Sequence, residues 1–125
     1  MNSTYIYFNS RDEFLRIDTN SIVYFQADGN YTRVVTMNKI QYVIQGNLLQ
    51  TQKVLEVAMK ERSSCFVRIG KSYIINLNFL SHICVLKQRL ILSDNRTFAF
   101  QIETSRDALK KLKQLMCNIS QTQKK

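Results

Sequence analysis

Residues 22–34, IVYFQADGNYTRV, decide the fold that the sequence predicts. The run opens with apolar and aromatic residues typical of a β-strand and then reaches Asp28-Gly29-Asn30. Glycine and asparagine adopt positive φ angles at low cost, so this tripeptide predicts a turn. From Tyr31 onwards the stretch alternates and is rich in β-branched residues. It therefore predicts two short strands joined by a tight turn.

Similar short runs occupy most of the chain on either side. They extend the pattern over Thr4–Phe8, Phe14–Ile17, Ser21–Gln26, Tyr31–Met37, Ile40–Ile44, Phe66–Ile69, Tyr73–Leu77, Ser81–Leu86, Arg89–Leu92 and Thr97–Phe100. Ser93-Asp94-Asn95 predicts a further hairpin turn. Two segments differ, because Asn47–Lys60 and Thr104–Cys117 place apolar residues near a 3.6-residue period. We therefore expect a mainly β fold with α elements: antiparallel sheets, one packed helix in the middle and one C-terminal helix.

Each predicted helix carries a start signal. Asn47 can cap the first helix with its side chain. Thr104, followed three residues later by Asp107, resembles a capping box with Asp in place of Glu. The second helix has an apolar stripe with lysines on its other side, which we interpret as a face that docks on the rest of the domain.

The charge is distributed unevenly along the chain. Residues 1–61 hold six basic side chains and six acids, whereas residues 62–125 hold twelve basic side chains and three acids. The whole net charge of +9 therefore belongs to the second half. Such asymmetry is typical of a protein that binds a polyanion, either a nucleic acid or an anionic membrane.

The chain has no proline and no low-complexity linker. We therefore expect one domain over residues 1–119, followed by a flexible polar tail over residues 120–125. The N-terminus lacks the basic start and apolar run of a signal peptide, and no stretch approaches the roughly 20 apolar residues of a spanning helix. Three widely spaced cysteines suit a reducing compartment. These features predict a cytoplasmic protein without membrane insertion.

Residues that could carry catalysis or hold a metal are few and scattered. The single histidine, His82, lies inside an apolar β run, where a half-buried strand position is the favoured interpretation. No CxxC pair exists, and the three glycines do not form a phosphate-binding loop. We therefore predict no catalytic residues, no metal and no cofactor, and we expect that the protein is not an enzyme.

Residues 66–77, FVRIGKSYIINL, contain the most informative polar cluster. Apolar positions flank Arg68, Lys71 and Ser72. The two cations and the hydroxyl are groups that bind phosphate, and Lys71 could also reach guanine acceptors in a major groove. A plain hairpin corner with solvated charges has the same composition, so the cluster alone leaves both interpretations open.

The chain resembles the LytTR family of bacterial DNA-binding domains. The matching stretches are residues 22–34, Gly46-Asn47-Leu48, residues 66–77 and residues 89–95. The pattern F-x-R-x-x-x-S-Y-x-x-N at the right distance from an upstream D-G-N-Y turn is specific in combination. The resemblance covers roughly residues 4–116, which is nearly the whole chain.

The resemblance implies an elongated domain of antiparallel strands whose connecting loops, rather than a recognition helix, enter the major groove. The first loop would be Asn30–Arg33, with Thr32 and Arg33 facing bases and backbone. The second would be Arg68–Ser72, with Lys71 reading a base and Ser72 on phosphate. Arg89 matches a backbone-contacting position. The function implied is sequence-specific binding of double-stranded DNA by a transcriptional regulator.

The chain departs from the family pattern at two places. Gly70 stands where many members carry histidine, which removes one contact. After Phe100, where the family often has Ser-Arg directly, four residues intervene. Either Gln101 or Arg106 fills the third contact position, and the sequence leaves this choice open. Relatives often carry a receiver domain ahead of this module; the starting methionine favours a stand-alone regulator over an excised fragment.

Two other functions are compatible with these residues, and each would have a different partner. A protein-interaction module would bind an acidic partner through the basic half. A single-strand binder would stack bases on Tyr31 and Tyr73, although half-buried strand positions are the favoured interpretation of both. The resemblance itself implies direct-repeat DNA sites, pairing of two protomers on DNA and, in some systems, an inhibitory protein partner.

Overall fold

The computed structural model describes the backbone of residues 4–123 and the side chains up to Ile119. The chain divides into two compact units, one ending at Asn78 and the other beginning at Phe79. Each contains antiparallel strands and one helix, which confirms the predicted fold class. The single domain over residues 1–119 stays a prediction. So does the flexible tail over residues 120–125, the last two of which lie outside the described residues.

The first unit combines a hairpin, a five-stranded sheet and a helix. The hairpin pairs β1 with β2, and the sheet has the order β5-β4-β3-β7-β6 with every neighbouring pair antiparallel. The elements are β1 Tyr5–Asn9, β2 Phe14–Asp18, β3 Ile22–Asp28, β4 Tyr31–Thr36, β5 Gln41–Gln45, α1 Leu48–Met59, β6 Phe66–Ile69 and β7 Tyr73–Asn76, with short 3-10 segments at Thr19–Ser21 and Lys60–Cys65. A third 3-10 segment, Leu77–Phe79, includes the last two residues of this unit and the first residue of the next.

The core of the first unit lies between one face of the sheet and α1. Phe25 of β3 is paired with Val34 of β4 and Ile74 of β7, so these three fully buried side chains share a face. Leu48 and Leu55 of α1 belong to the same buried cluster. β3 is therefore the central strand that joins the β3–β4 hairpin to the β6–β7 hairpin.

A capping box fixes the start of α1 next to this core. The Asn47 side chain accepts a hydrogen bond from the Gln50 N–H at 2.9 Å, and the Gln50 side chain accepts one from the Asn47 N–H at 2.8 Å. Gly46 precedes them with a φ of +105°, and a Cβ there would come within 2.9 Å of the Gln50 side-chain oxygen. Only glycine leaves room for this cap.

The second unit is a three-stranded antiparallel sheet with one helix. Its elements are β8 Leu80–Cys84, β9 Arg89–Ser93, β10 Ala99–Glu103 and α2 Arg106–Gln123, and the sheet order is β10-β9-β8. The predicted cap at Thr104 is wrong by one residue, because the Ser105 hydroxyl accepts the Ala108 N–H at 3.1 Å. The helix also continues beyond Cys117, where the prediction ended it.

The turn between β9 and β10 is organised by Asp94, as Ser93-Asp94-Asn95 predicts. One carboxylate oxygen accepts the backbone N–H groups of Arg96, Thr97 and Phe98, and the other accepts the Thr97 hydroxyl at 2.6 Å. The Thr97 hydroxyl, followed by the backbone donors, holds the pKa of Asp94 well below its ordinary value of 3.8.

Acid should loosen this turn. Because the folded pKa of Asp94 is depressed, its stabilisation is complete above the ordinary pKa of 3.8 and is lost as the pH falls through the folded value. In an NMR pH titration the Thr97 and Phe98 amide signals should therefore move only at pH values below 3.8. The same signals in Asp94→Asn should not titrate; movement at the same pH in that variant would assign the effect to another group.

Candidate nucleic-acid interface

Two hairpin turns lie side by side at one end of the five-stranded sheet. The first is Gly29–Asn30 between β3 and β4, and the second is Gly70–Ser72 between β6 and β7. They are tied together because β3 pairs with β7 and the Ala27 N–H donates to the Ser72 carbonyl at 2.8 Å. We call this end of the sheet, with its two turns, the turn edge.

The β6–β7 turn presents Lys71 and Ser72 to solvent. Both side chains are exposed, and Gly70 opens the turn with a φ of +58°, a conformation that other residues adopt at a cost. Asn30, in the neighbouring turn, is also exposed, and its carbonyl accepts the Gly46 N–H at 3.0 Å. Three of the predicted contact residues therefore lie together at the turn edge.

Arg68 stabilises the β6–β7 turn by a hydrogen bond to its backbone. Its guanidinium donates to the Lys71 carbonyl at 3.3 Å and to the Gln52 side-chain oxygen of α1 at 3.4 Å. The side chain remains exposed. Arg68 thus links the Lys71 backbone to the helix, a bracing contact that the sequence did not predict.

Thr32 was predicted to face DNA, but the structure buries it completely. Its hydroxyl donates to the Gly46 carbonyl at 2.9 Å and accepts the Thr51 hydroxyl of α1 at 3.4 Å. A fully buried side chain cannot contact a DNA base in this conformation. The prediction that the Thr32 side chain faces DNA is therefore wrong, and Thr32 instead helps to fix the start of α1.

Arg33 lies on the opposite, outer face of the sheet. It is paired with Gln26 of β3, which in turn is paired with Tyr73 of β7, and the Gln26 side chain donates to the Tyr73 hydroxyl at 3.2 Å. The Arg33 guanidinium binds the Asp28 carboxylate at 2.9 Å and the Gln41 side-chain oxygen at 3.2 Å. Arg33 thus belongs to a polar row leading across three strands to the second turn.

The outer-face row includes residues that sequence reasoning did not assign to the site. The Tyr24 ring meets Tyr73 edge-on with centroids 6.0 Å apart. Burial, and then the neighbouring Tyr73, raise the pKa of Tyr24, with Arg33 opposing them. The alternation of residues 24, 26 and 28 along β3 was the available signal, since alternate strand residues share a face.

In the second unit Arg89 and Arg106 lie at the β8–β9 connection, whereas Gln101 is paired with Ile91 in the middle of the sheet. Arg89 begins β9 and is half-buried, and among the described side chains its Nε is a buried nitrogen without a hydrogen-bond partner. Exposed Arg106 donates to the Leu86 carbonyl at 3.4 Å. Gln101 is exposed on β10, 3.5 Å from the Glu103 carboxylate. The choice between Gln101 and Arg106 stays open.

Asn76 closes the F-x-R-x-x-x-S-Y-x-x-N pattern, and its role is structural. It is buried, its side chain donates to the Ile22 carbonyl at 2.8 Å, and its oxygen accepts the Asn78 N–H at 2.9 Å. The pattern therefore combines turn residues that face solvent with an asparagine that fastens β7 to β3. Part of a recognition motif serves the scaffold rather than the ligand.

The side chains and helices of the described residues also bear on other functions. No group of three or more His, Cys, Asp and Glu side chains within them is arranged to hold a metal ion. None of their helices is long and apolar enough to cross a membrane.

The sequence is that of a DNA-binding domain of transcriptional regulators, built on antiparallel sheets with two paired turns. The family model of the LytTr DNA-binding domain matches residues 12–117, and the chain belongs to this LytTR family. It is a family of DNA-binding domains and not of enzymes.

The chain is similar to two curated proteins of Paraburkholderia xenovorans (strain LB400). It is 27% identical over 106 residues to the heme-containing CO-sensing transcriptional regulator RcoM 2 and 24% identical to RcoM 1, in each case over 85% of this chain. The match spans 37% of the length of either relative. A solved LytTr DNA-binding domain from Bacillus cereus has the same fold, with a TM-score of 0.65, 16% identity, and coverage of 90% of this chain and 96% of that one.

Proposed function

We propose that this chain binds double-stranded DNA sequence-specifically, inserting the turn edge into a major groove, and that it regulates transcription in the cytoplasm. The hydrogen bond between Ala27 and Ser72 carries this proposal, because it holds two turns with exposed polar side chains at one edge of a stiff sheet. A major groove about 12 Å wide admits a two-stranded β-ribbon. Membership of a DNA-binding family supports the same assignment.

We assign a separate role to each residue of the turn edge. Lys71 reads acceptor atoms on a base, since its exposed ammonium stands at the centre of the second turn. Ser72 and Asn30 donate to phosphate oxygens on either side of it, and Arg33 approaches the backbone from the outer face. Arg68 keeps the Lys71 backbone in place through its bond to the carbonyl.

In the second unit we propose Arg89 as a phosphate contact, and either Gln101 or Arg106 as the third contact position.

The salt dependence of DNA binding distinguishes Gln101 from Arg106 as the third contact. Arg106→Ala should make the slope of log K against log salt shallower by about 0.9 if Arg106 neutralises a phosphate. Gln101→Ala should leave that slope unchanged and relax base preference instead, because a neutral amide releases no counterion. If both variants retain the wild-type slope and base preference, neither residue is the third contact.

One experiment tests the proposed function as a whole. Bound duplexes are selected from a random pool and sequenced, and a recurring motif is expected. Two copies of the motif in direct repeat, separated by about one helical turn, would support pairing of two protomers on DNA. A pool that yields no motif would reject sequence-specific binding.

Binding of an acidic protein is a second candidate function. The observation that favours it is the exposed lysine cluster of α2, Lys110, Lys111 and Lys113, of which Lys111 contacts Asp107 of the same helix at 3.2 Å. An inhibitory partner of this kind could coexist with DNA binding. A complex that survives nuclease treatment and is lost in Lys110→Ala/Lys113→Ala would support this role.

A further inference from the structure

We propose that Asp28 competes with DNA phosphates for the Arg33 guanidinium outside the specific site. It thereby determines how strongly the chain discriminates between DNA sequences. The inference rests on the proposed function. It concerns an acidic residue at the edge of a surface that binds a polyanion, where a carboxylate weakens binding unless it serves another purpose.

The contact itself occupies the part of Arg33 that phosphate would use. The guanidinium has two terminal nitrogens, and the structure commits both of them. Nη2 lies 2.9 Å from the Asp28 carboxylate, and Nη1 lies 3.2 Å from the Gln41 side-chain oxygen. Arginine recognises phosphate bidentately through its planar fork, so a phosphate that takes the fork end-on competes for these two nitrogens with the clamp formed by Asp28 and Gln41.

The Asp28–Arg33 ion pair lies in a partly exposed position, where DNA phosphates can compete with Asp28 for Arg33. The Arg33 and Asp28 side chains are 38% and 50% exposed. An ion pair in such a position contributes little to stability because water solvates both charges. We therefore expect the ion pair to affect DNA binding by Arg33 rather than the stability of the fold.

The effect differs between specific and non-specific DNA. On an unrelated duplex the protein samples many registers, and an unclamped arginine would find a phosphate in each of them. On the specific site, contacts from the turn edge fix a single register, in which Arg33 approaches the backbone with its remaining N–H groups and keeps its bond to Asp28, so it gains less from being free. Discrimination is the ratio of the two affinities, and Asp28 should raise it mainly by lowering non-specific binding.

Asp28→Asn removes the charge and keeps the shape of the turn. It should bind an unrelated duplex about threefold to tenfold more tightly, with a log–log salt slope steeper by about 0.9, as expected when one exposed guanidinium is freed to neutralise one phosphate. Affinity for the selected duplex should rise less, so the specificity ratio falls. Glu56→Gln is the matched control, because it removes one charge from an exposed position in the last turns of α1.

Two further variants separate the clamp from simple charge repulsion. Gln41→Ala loosens the other side of the clamp without changing any charge and should shift non-specific affinity in the same direction. In an Arg33→Ala background, Asp28→Asn should have no effect. A gain that persists without Arg33, or that Glu56→Gln reproduces, would overturn the inference in favour of general electrostatics.

The outcome also distinguishes this inference from the proposed function. If the wild-type chain binds no duplex, both are rejected. If it binds the selected duplex tightly and Asp28→Asn behaves as wild type on both duplexes, only the role of Asp28 is rejected. Near-UV circular dichroism of the tyrosines, all of which lie between Tyr5 and Tyr73, checks that each variant is folded.

Discussion

Replacing Lys71 with alanine is expected to weaken binding to the selected duplex by about 1–3 kcal/mol, or roughly 5- to 150-fold, and to relax base preference at one position. The ammonium is exposed at the centre of the β6–β7 turn. The turn should survive the change, because Arg68 binds the Lys71 carbonyl and not its side chain. Mobility-shift titrations on the selected duplex and its single-base variants measure the effect.

Lys39→Ala is the matched control for this loss. Lys39 is an exposed lysine in the β4–β5 turn, at the opposite end of the same sheet from the turn edge. It removes the same charge, so any general effect of net charge appears in both variants. Equal losses on selected and unrelated duplexes in Lys71→Ala would show that Lys71 contacts phosphate and not a base.

Local signals were sufficient to predict most of the first unit. The β3–β4 hairpin follows from Asp28-Gly29-Asn30, because few residues adopt the positive φ of 63° seen at Gly29. α1 begins where Asn47 predicted it, because a cap is a contact between residues three apart. Such features depend on neighbours in the sequence, which is why they can be found without knowing the fold.

Thr32 was misassigned because exposure depends on tertiary packing. The resemblance places Asn30–Arg33 in one loop, whereas β4 already begins at Tyr31. Within a strand, residues 32 and 34 share one face and residues 33 and 35 share the other, and Val34 and Val35 are both apolar and fully buried. Alternation alone therefore did not show which face holds Thr32, and the packing of that face against α1 decides it.

The contacts between strands in the polar row on the outer face could not have been derived from the sequence. Gln26 and Tyr73 are 47 residues apart and meet because β3 pairs with β7. The clamp on Arg33 combines Asp28, across the hairpin, with Gln41 from the next strand. Long-range pairings of this kind follow from sheet order, which short motifs do not specify.

Replacing Phe25 with alanine is expected to destabilise the first unit by about 3–5 kcal/mol, since it removes a fully buried ring and leaves a cavity. The ring packs edge-on against Phe66, with centroids 5.7 Å apart, and sits on the strand that joins both hairpins. All six tyrosines lie in the first unit and the chain has no tryptophan, so tyrosine near-UV signals in a urea titration report on this unit.

Phe14→Ala provides the same substitution at a position that is 65% exposed, and it should change stability by no more than about 0.5–1 kcal/mol. Because β3 carries the hydrogen bond that aligns the two turns, Phe25→Ala should also lose specific DNA binding at urea concentrations where Phe14→Ala retains it. If Phe25→Ala unfolds at the wild-type midpoint, the packing of β3 against α1 does not hold the first unit together. Unchanged DNA binding in an unfolded first unit would instead show that the turn edge is not the reading surface.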